Sequence, residues 1–261
     1  MRKKLFLHGW SFLKTELGTD IAEVVSRQGE FEEISLPHDW LIYDTNNLYE
    51  NSIGWYKRIL STKELVRDLA YAEGEQVSLC FDGVYMDTTL YVNGVEAFSW
   101  KYGYSAFQAE LTEYLKDGEN ELLVKVVHRS PNSRWYSGAG IYRDVTLCVA
   151  PGKEHLAYNG TYVHTQPEEE ENFSVMLSTD VCSLTKPECK IRYTLLDPNE
   201  KEVFCVYVEP WRQKKEGLYV GKTMMWVEKP VRWDVNEPYL YELQVDLVDE
   251  TGEVADQENL K

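Results

Sequence analysis

The tripeptide Asn236-Glu237-Pro238 puts one glutamate in a setting where sugar-cleaving chemistry is worth testing. Cleavage of an acetal needs two carboxyl groups facing one bond, one of them kept protonated by its surroundings. Glu237 supplies one such group and would need a partner a few ångströms away. The surrounding residues 231–249, "VRWDVNEPYLYELQVDLVD", also read as a loop with a proline followed by an alternating strand, which is ordinary turn chemistry. That reading makes Glu237 a surface turn residue, and no catalytic residue is assigned in the chain.

Two further clusters could bind rather than react. "LPHDW" at 36–40 places Asp39 and Trp40 just after a strand, where loops carry function. A carboxylate can accept from sugar hydroxyls, and an indole face can pack on the apolar face of a pyranose. The alternative is a turn closed by a core tryptophan. "NSRWYSGAGIYR" at 132–143 offers Asn132, the forked guanidinium of Arg134, and the rings of Trp135 and Tyr136. Gly138 and Gly140 would let the backbone turn sharply beside them. The alternative there is an arginine and two aromatics sealing a gap between domains.

Other chemistries lack their residues. No GxSxG, Walker loop or HExxH occurs. The five histidines show no i, i+4 pair on a convincing helix, and no CxxC occurs among the five cysteines, so no metal site is assigned. An odd, scattered cysteine set reads as reduced side chains in a cytoplasmic protein. The net charge of -17 argues against nucleic acid as a partner. No apolar run approaches the ~20 residues of a membrane helix, and the short apolar run after the basic N-terminus reads as mature protein rather than a leader.

The elements that must position these clusters are mostly strands. Runs at 31–37, 54–60, 76–83, 88–94, 120–128 and 141–149 are apolar and β-rich, several with period two. Asn93-Gly94 between two such runs signals a tight hairpin. Helical patterns cover only 20–28 and 62–74, with Thr62 as the expected cap of the second. Pro151-Gly152 suggests a boundary, followed by six more short strands in a length suited to an immunoglobulin-like sandwich. A (β/α)8 barrel takes about 200 residues at the least and alternates strands with helices, so it does not fit in the remainder.

"LPHDW", "GWYKR", "FDGVYMDTTLYVNG", "SRWYSGAGIYRDV" and "NEPYLYEL", in this order and spacing, resemble the N-terminal half of glycoside hydrolase family 2, most of all its bacterial β-galactosidases. The resemblance implies an all-β chain: a jelly-roll (galactose-binding-like) β-sandwich over 1–151, then an immunoglobulin-like β-sandwich over 152–261, truncated near its last strand. It implies that the catalytic glutamates lie in a TIM barrel outside this chain, which is expected to be inactive alone. It implies a rim role for Asp39, Trp40, Asn132, Arg134, Trp135 and Tyr136. It also implies β-galactoside as the substrate of the complete enzyme, the C-terminal barrel as a partner, and homo-oligomer contacts. The parent is expected to use a sodium or magnesium ion, but Ser133 and Arg134 stand where the ion-holding acid would fall, so no cofactor is placed in this chain. The "GAGIYR" segment favours galactosidase over glucuronidase members. The rival readings are a free-standing carbohydrate-binding module and a β-sandwich pair used for protein association.

Overall fold

Period-two alternation carries about half of this chain into strands, and the computed structural model describes it over residues 1–131 and 137–261. It divides into two compact units, Arg2–Val149 and Ala150–Lys261, the latter with Met1.

The first unit contains β1 (Arg2–Leu5), β2 (Trp10–Thr15), α1 (Ile21–Ser26), β3 (Glu32–Ile34) and β4 (Ser52–Ser61). It continues with α2 (Thr62–Leu69), β5 (Gln76–Phe81), β6 (Thr88–Val92), β7 (Val95–Trp100), β8 (Phe107–Glu110), β9 (Glu119–His128) and β10 (Val145–Ala150). One sheet has the order β3-β2-β4-β9-β6-β7 and the other β1-β10-β5-β8. Side chains alternate across each strand, so neighbours in sequence go to opposite faces. Tyr56 joins the core between the sheets, with Leu79, Phe81, Leu90 and Val124. Trp55, one residue earlier, goes to the other face and packs with Leu13, Ile53, Leu123 and with Val24 of α1. The helix therefore covers the outer face of the larger sheet.

The local signals mostly hold, with three shifts. Val92 pairs with Val95 across Asn93 and Gly94, both at positive φ (52° and 80°), which is the tight hairpin expected. Asp20 caps α1, its carboxylate accepting from the Glu23 N–H at 2.9 Å. The cap of α2 is Ser61 rather than Thr62. Ser61 has the extended backbone that a cap position requires (φ -101°, ψ 148°), and its hydroxyl accepts from Glu64 N–H at 3.1 Å. Thr62 is the first helical residue, and its hydroxyl donates to Asp117. The helix stops where Ala70 turns left-handed, four residues short of the expected Gly74. The run at 141–149 forms a strand only from Val145.

The second unit holds β11 (Glu154–Pro167), β12 (Phe173–Ser183), β13 (Lys190–Leu196), β14 (Glu202–Val208), β15 (Arg212–Lys215), β16 (Leu218–Val227), β17 (Glu242–Val248) and β18 (Val254–Leu260). Its sheets run β11-β12-β16-β15 and β14-β13-β17-β18, all with antiparallel pairings. Leu177 and Val181 from one sheet meet Ile191, Tyr193, Val245 and Leu247 from the other. Both units are thus β-sandwiches, and the fold is all-β.

Candidate functional site

At one end of the first unit, the chain between β3 and β4 meets the chain between β9 and β10. Backbone pairing sets the contact: His38 N–H donates to Ile141 O (2.8 Å) and Trp40 N–H to Ala139 O (3.1 Å). Asp39 sits between these two residues. Its Oδ1 accepts from Leu41 N–H, starting a short 3-10 turn over Trp40–Tyr43, and from Ala139 N–H, both at 3.0 Å. One carboxylate thus fixes the start of one loop and the end of the other.

Trp40 is 4% exposed. Its ring stacks on Phe12, with centroids 5.6 Å apart, and its indole N–H reaches Ser52 Oγ (3.0 Å) and Glu50 Oε1 (3.1 Å). Glu50 is the hub of this corner. Its carboxylate also accepts from Ser52 Oγ, Asn47 Nδ2 and Lys14 Nζ, while its carbonyl accepts from His128 Nδ1 at 2.7 Å. No motif in "LYENS" pointed to Glu50; only its partners, distant in sequence, reveal the role.

Below Asp39, His38 Nδ1 lies 2.8 Å from the buried Tyr56 hydroxyl. Burial lowers the His38 pKa from its ordinary value, against the opposing pull of Asp39, and burial raises the Tyr56 phenol well above its own. The pair is therefore a neutral hydrogen-bonded plug at neutral pH. Gly140 (φ 130°) passes over it, and a Cβ there would collide with both His38 O and the Tyr56 hydroxyl. Gly140 also exchanges two backbone hydrogen bonds with Tyr85, at 2.9 and 3.0 Å. The loop between β5 and β6 is thereby drawn into the same end.

Tyr85 extends the cluster outward. Its ring lies 5.2 Å from that of Tyr104, which lies 5.8 Å from Tyr102, both edge-on. Tyr43 and Tyr49 are exposed on the neighbouring loop, and Tyr43 lies 5.6 Å from the His38 ring. The "KYGYS" segment at 101–105 was missed in the sequence, because two tyrosines flanking a glycine have no spacing that distinguishes a loop from a strand.

Of the expected rim residues, Asp39 and Trp40 lie together here. Asn132, Arg134, Trp135 and Tyr136 lie outside the described residues. Glu237 belongs to the other unit. It sits exposed in a tight turn, exchanging backbone hydrogen bonds with Asp234 at 3.1 and 3.2 Å. An apolar cavity of about 510 Å³ in that unit is lined by Phe173, Trp233, Tyr239 and Leu240, among others, and its lining includes no Asp or Glu. Among the described residues, no group of three His, Cys, Asp or Glu could hold a metal ion. The ion implied by the resemblance thus finds no such donor set in the described part of the chain, and no chemistry is assigned to it. Asp39 and Glu50 are engaged in holding backbone and indole groups. This arrangement can orient loops and present rings.

Comparison with known proteins adds a family to this geometry. Residues 31–151 match the glycosyl hydrolases family 2 sugar binding domain, and residues 159–261 match glycosyl hydrolases family 2. Beta-galactosidase BoGH2A of Bacteroides ovatus is 34% identical over 241 residues, covering 87% of this chain and 27% of that protein. The crystal structure of a glycosyl hydrolase family 2 member from Bacteroides cellulosilyticus superposes with a TM-score of 0.79 at 25% identity, covering 100% of this chain and 36% of that one. A calcium binding mutant of Bacteroides uniformis beta-glucuronidase 2 gives a TM-score of 0.81 at 25% identity, covering 99% of this chain and 32% of that one. The chain thus spans roughly a quarter to a third of the length of these relatives.

Proposed function

The chain belongs to glycoside hydrolase family 2, and from that premise we propose that it is the non-catalytic N-terminal part of a retaining enzyme hydrolysing terminal β-D-galactosides. In this reading the two sandwiches are scaffold, and the loop end around Asp39 forms part of the substrate rim. The reacting carboxylates, and any sodium or magnesium ion, belong to the remainder of the enzyme. The observation that carries the galactoside assignment is the 34% identity to a β-galactosidase over most of the chain. The geometry supports a positioning role, since Asp39 and Glu50 both hold neighbouring groups in place.

A β-glucuronidase is the second reading, favoured by the likeness to Bacteroides uniformis beta-glucuronidase 2. The two substrates differ at C6, where a glucuronide carries a carboxylate and a galactoside a hydroxymethyl group. A site built for one rejects the other by leaving a buried polar group unpaired or a charge unmatched. The test is the ratio of kcat/KM for nitrophenyl β-galactoside and nitrophenyl β-glucuronide, measured on the protein extended to the length of its relatives. The galactoside is expected to win by at least about a hundredfold. A preference for the glucuronide would replace the first reading with the second.

A further inference from the structure

Tyr102 and Tyr104 are 61% and 44% exposed, yet the loop that carries them is held from three sides. Gly103, between them, lies against the Tyr85 ring so closely that any Cβ would collide with it. The Tyr142 hydroxyl donates to Gly103 O at 2.8 Å, and Lys101 pairs with Asp87 across the loop's start. The loop backbone is thereby held in place, and the two phenol rings meet edge-on, with planes at 67°. A solvent-facing ring contributes little to the core of this unit, which closes beneath the loop with the stacked rings of Phe98, Trp100 and Phe107.

From this geometry we infer that Tyr102 and Tyr104 form a carbohydrate-binding platform on which one pyranose ring of a glycoside stacks. The inference rests on the reading above that the substrates are carbohydrates, and it gives the outward extension of the Asp39 corner a binding role of its own. Two exposed amphipathic rings side by side match a ligand with an apolar C–H face and a rim of hydroxyls. The phenol hydroxyls add polar groups at the rims of the rings. A loop backbone already held in place loses little conformational freedom when the sugar lands. The platform is continuous with the rim, because Tyr104 touches Tyr85, and Tyr85 is bridged to Gly140 next to Ala139. A sugar held there would be a unit of the substrate remote from the bond that breaks.

The test is saturation-transfer NMR on the 261-residue chain with methyl β-D-galactoside and lactose at up to ~50 mM, well above a weak-site Kd of ~1 mM. Transfer to the sugar C–H protons is expected. Tyr102→Ala and Tyr104→Ala should each weaken binding by about tenfold or more, while Tyr102→Phe retains most of it. Tyr162→Ala, on the other unit, should leave binding unchanged. Tyr102 is the decisive position, because its ring is mostly exposed and its removal leaves the fold intact, as amide spectra will report. No transfer with the wild-type chain at ~50 mM, or binding by Tyr102→Ala and Tyr104→Ala as strong as that of the wild type, would overturn the platform. Either result leaves the hydrolysis assay of the longer protein to decide the proposed function independently.

Discussion

The Oδ1 of Asp39 accepts the backbone N–H of Ala139, 100 residues away in sequence, at 3.0 Å. The same atom accepts from Leu41, so one carboxylate joins the two longest loops at this end of the unit. Hydrogen bonds to a charged acceptor contribute about 1.5–3 kcal/mol, and Asp39→Ala is expected to lower the stability of the first unit by about that much. Asp39→Asn keeps an acceptor oxygen and should cost less. Urea unfolding followed by the fluorescence of the buried Trp10 and Trp55 checks both. Equal stability of all three proteins would mean that the two loops do not depend on this carboxylate.

Gly140 is the sharper steric case. Its φ of 130° is closed to other residues, and a methyl group there meets the His38 carbonyl and the Tyr56 hydroxyl. Gly140→Ala is expected to cost about 3 kcal/mol or more. Its neighbour Ala139 has no such constraint on φ, and Ala139→Gly should cost far less. Thermal melts of the two variants give the comparison.

His38 makes stability depend on pH in one window. Burial lowers its folded pKa, so the unfolded chain binds the proton more readily. The stabilisation is fully present above the unfolded value of about 6.5 and falls away as pH drops below it. His155 in the second unit is lowered by burial in the same way and adds a similar slope there. As pH falls below about 6.5, the melting temperature of the first unit should fall, and His38→Gln should flatten that fall. Unchanged slope in the variant would assign the acid sensitivity to other groups.

The interior strands were legible because burial on one or both faces writes apolar runs into them. Val124, Leu147, Ile191 and Val245 all lie in such runs, and all are fully buried. The missed strands are mainly edges. β1 "RKKL", β8 "FQAE", β15 "RQKK" and β18 "VADQENL" each lie at the border of a sheet. Edge strands carry charge to block unwanted pairing, and that charge erases the pattern by which strands are recognised. Among the described residues, the site was legible at "LPHDW" and at Gly138 and Gly140, which take the positive φ expected of a sharp turn. Glu50, Tyr85 and Tyr104 acquire their roles through contacts between loops far apart in sequence, and no local spacing encodes those.

Glu237 gives a prediction of no effect. It lies in an exposed turn closed by backbone hydrogen bonds to Asp234. Glu237→Gln should leave the melting temperature of the chain within about 1 °C, as surface substitutions do, and leave kcat of the longer enzyme unchanged. A loss of kcat of a hundredfold or more, the usual scale for removing a catalytic acid or base, would restore this glutamate as a reacting group.

The central claim is that this chain positions substrate and does not cleave it. The direct test is hydrolysis of nitrophenyl β-galactoside by the 261-residue chain, beside the protein extended to the length of its relatives. Activity in the extended protein alone is the predicted result. Turnover by the short chain, abolished in Glu237→Gln, would contradict the claim and place the chemistry within these two sandwiches.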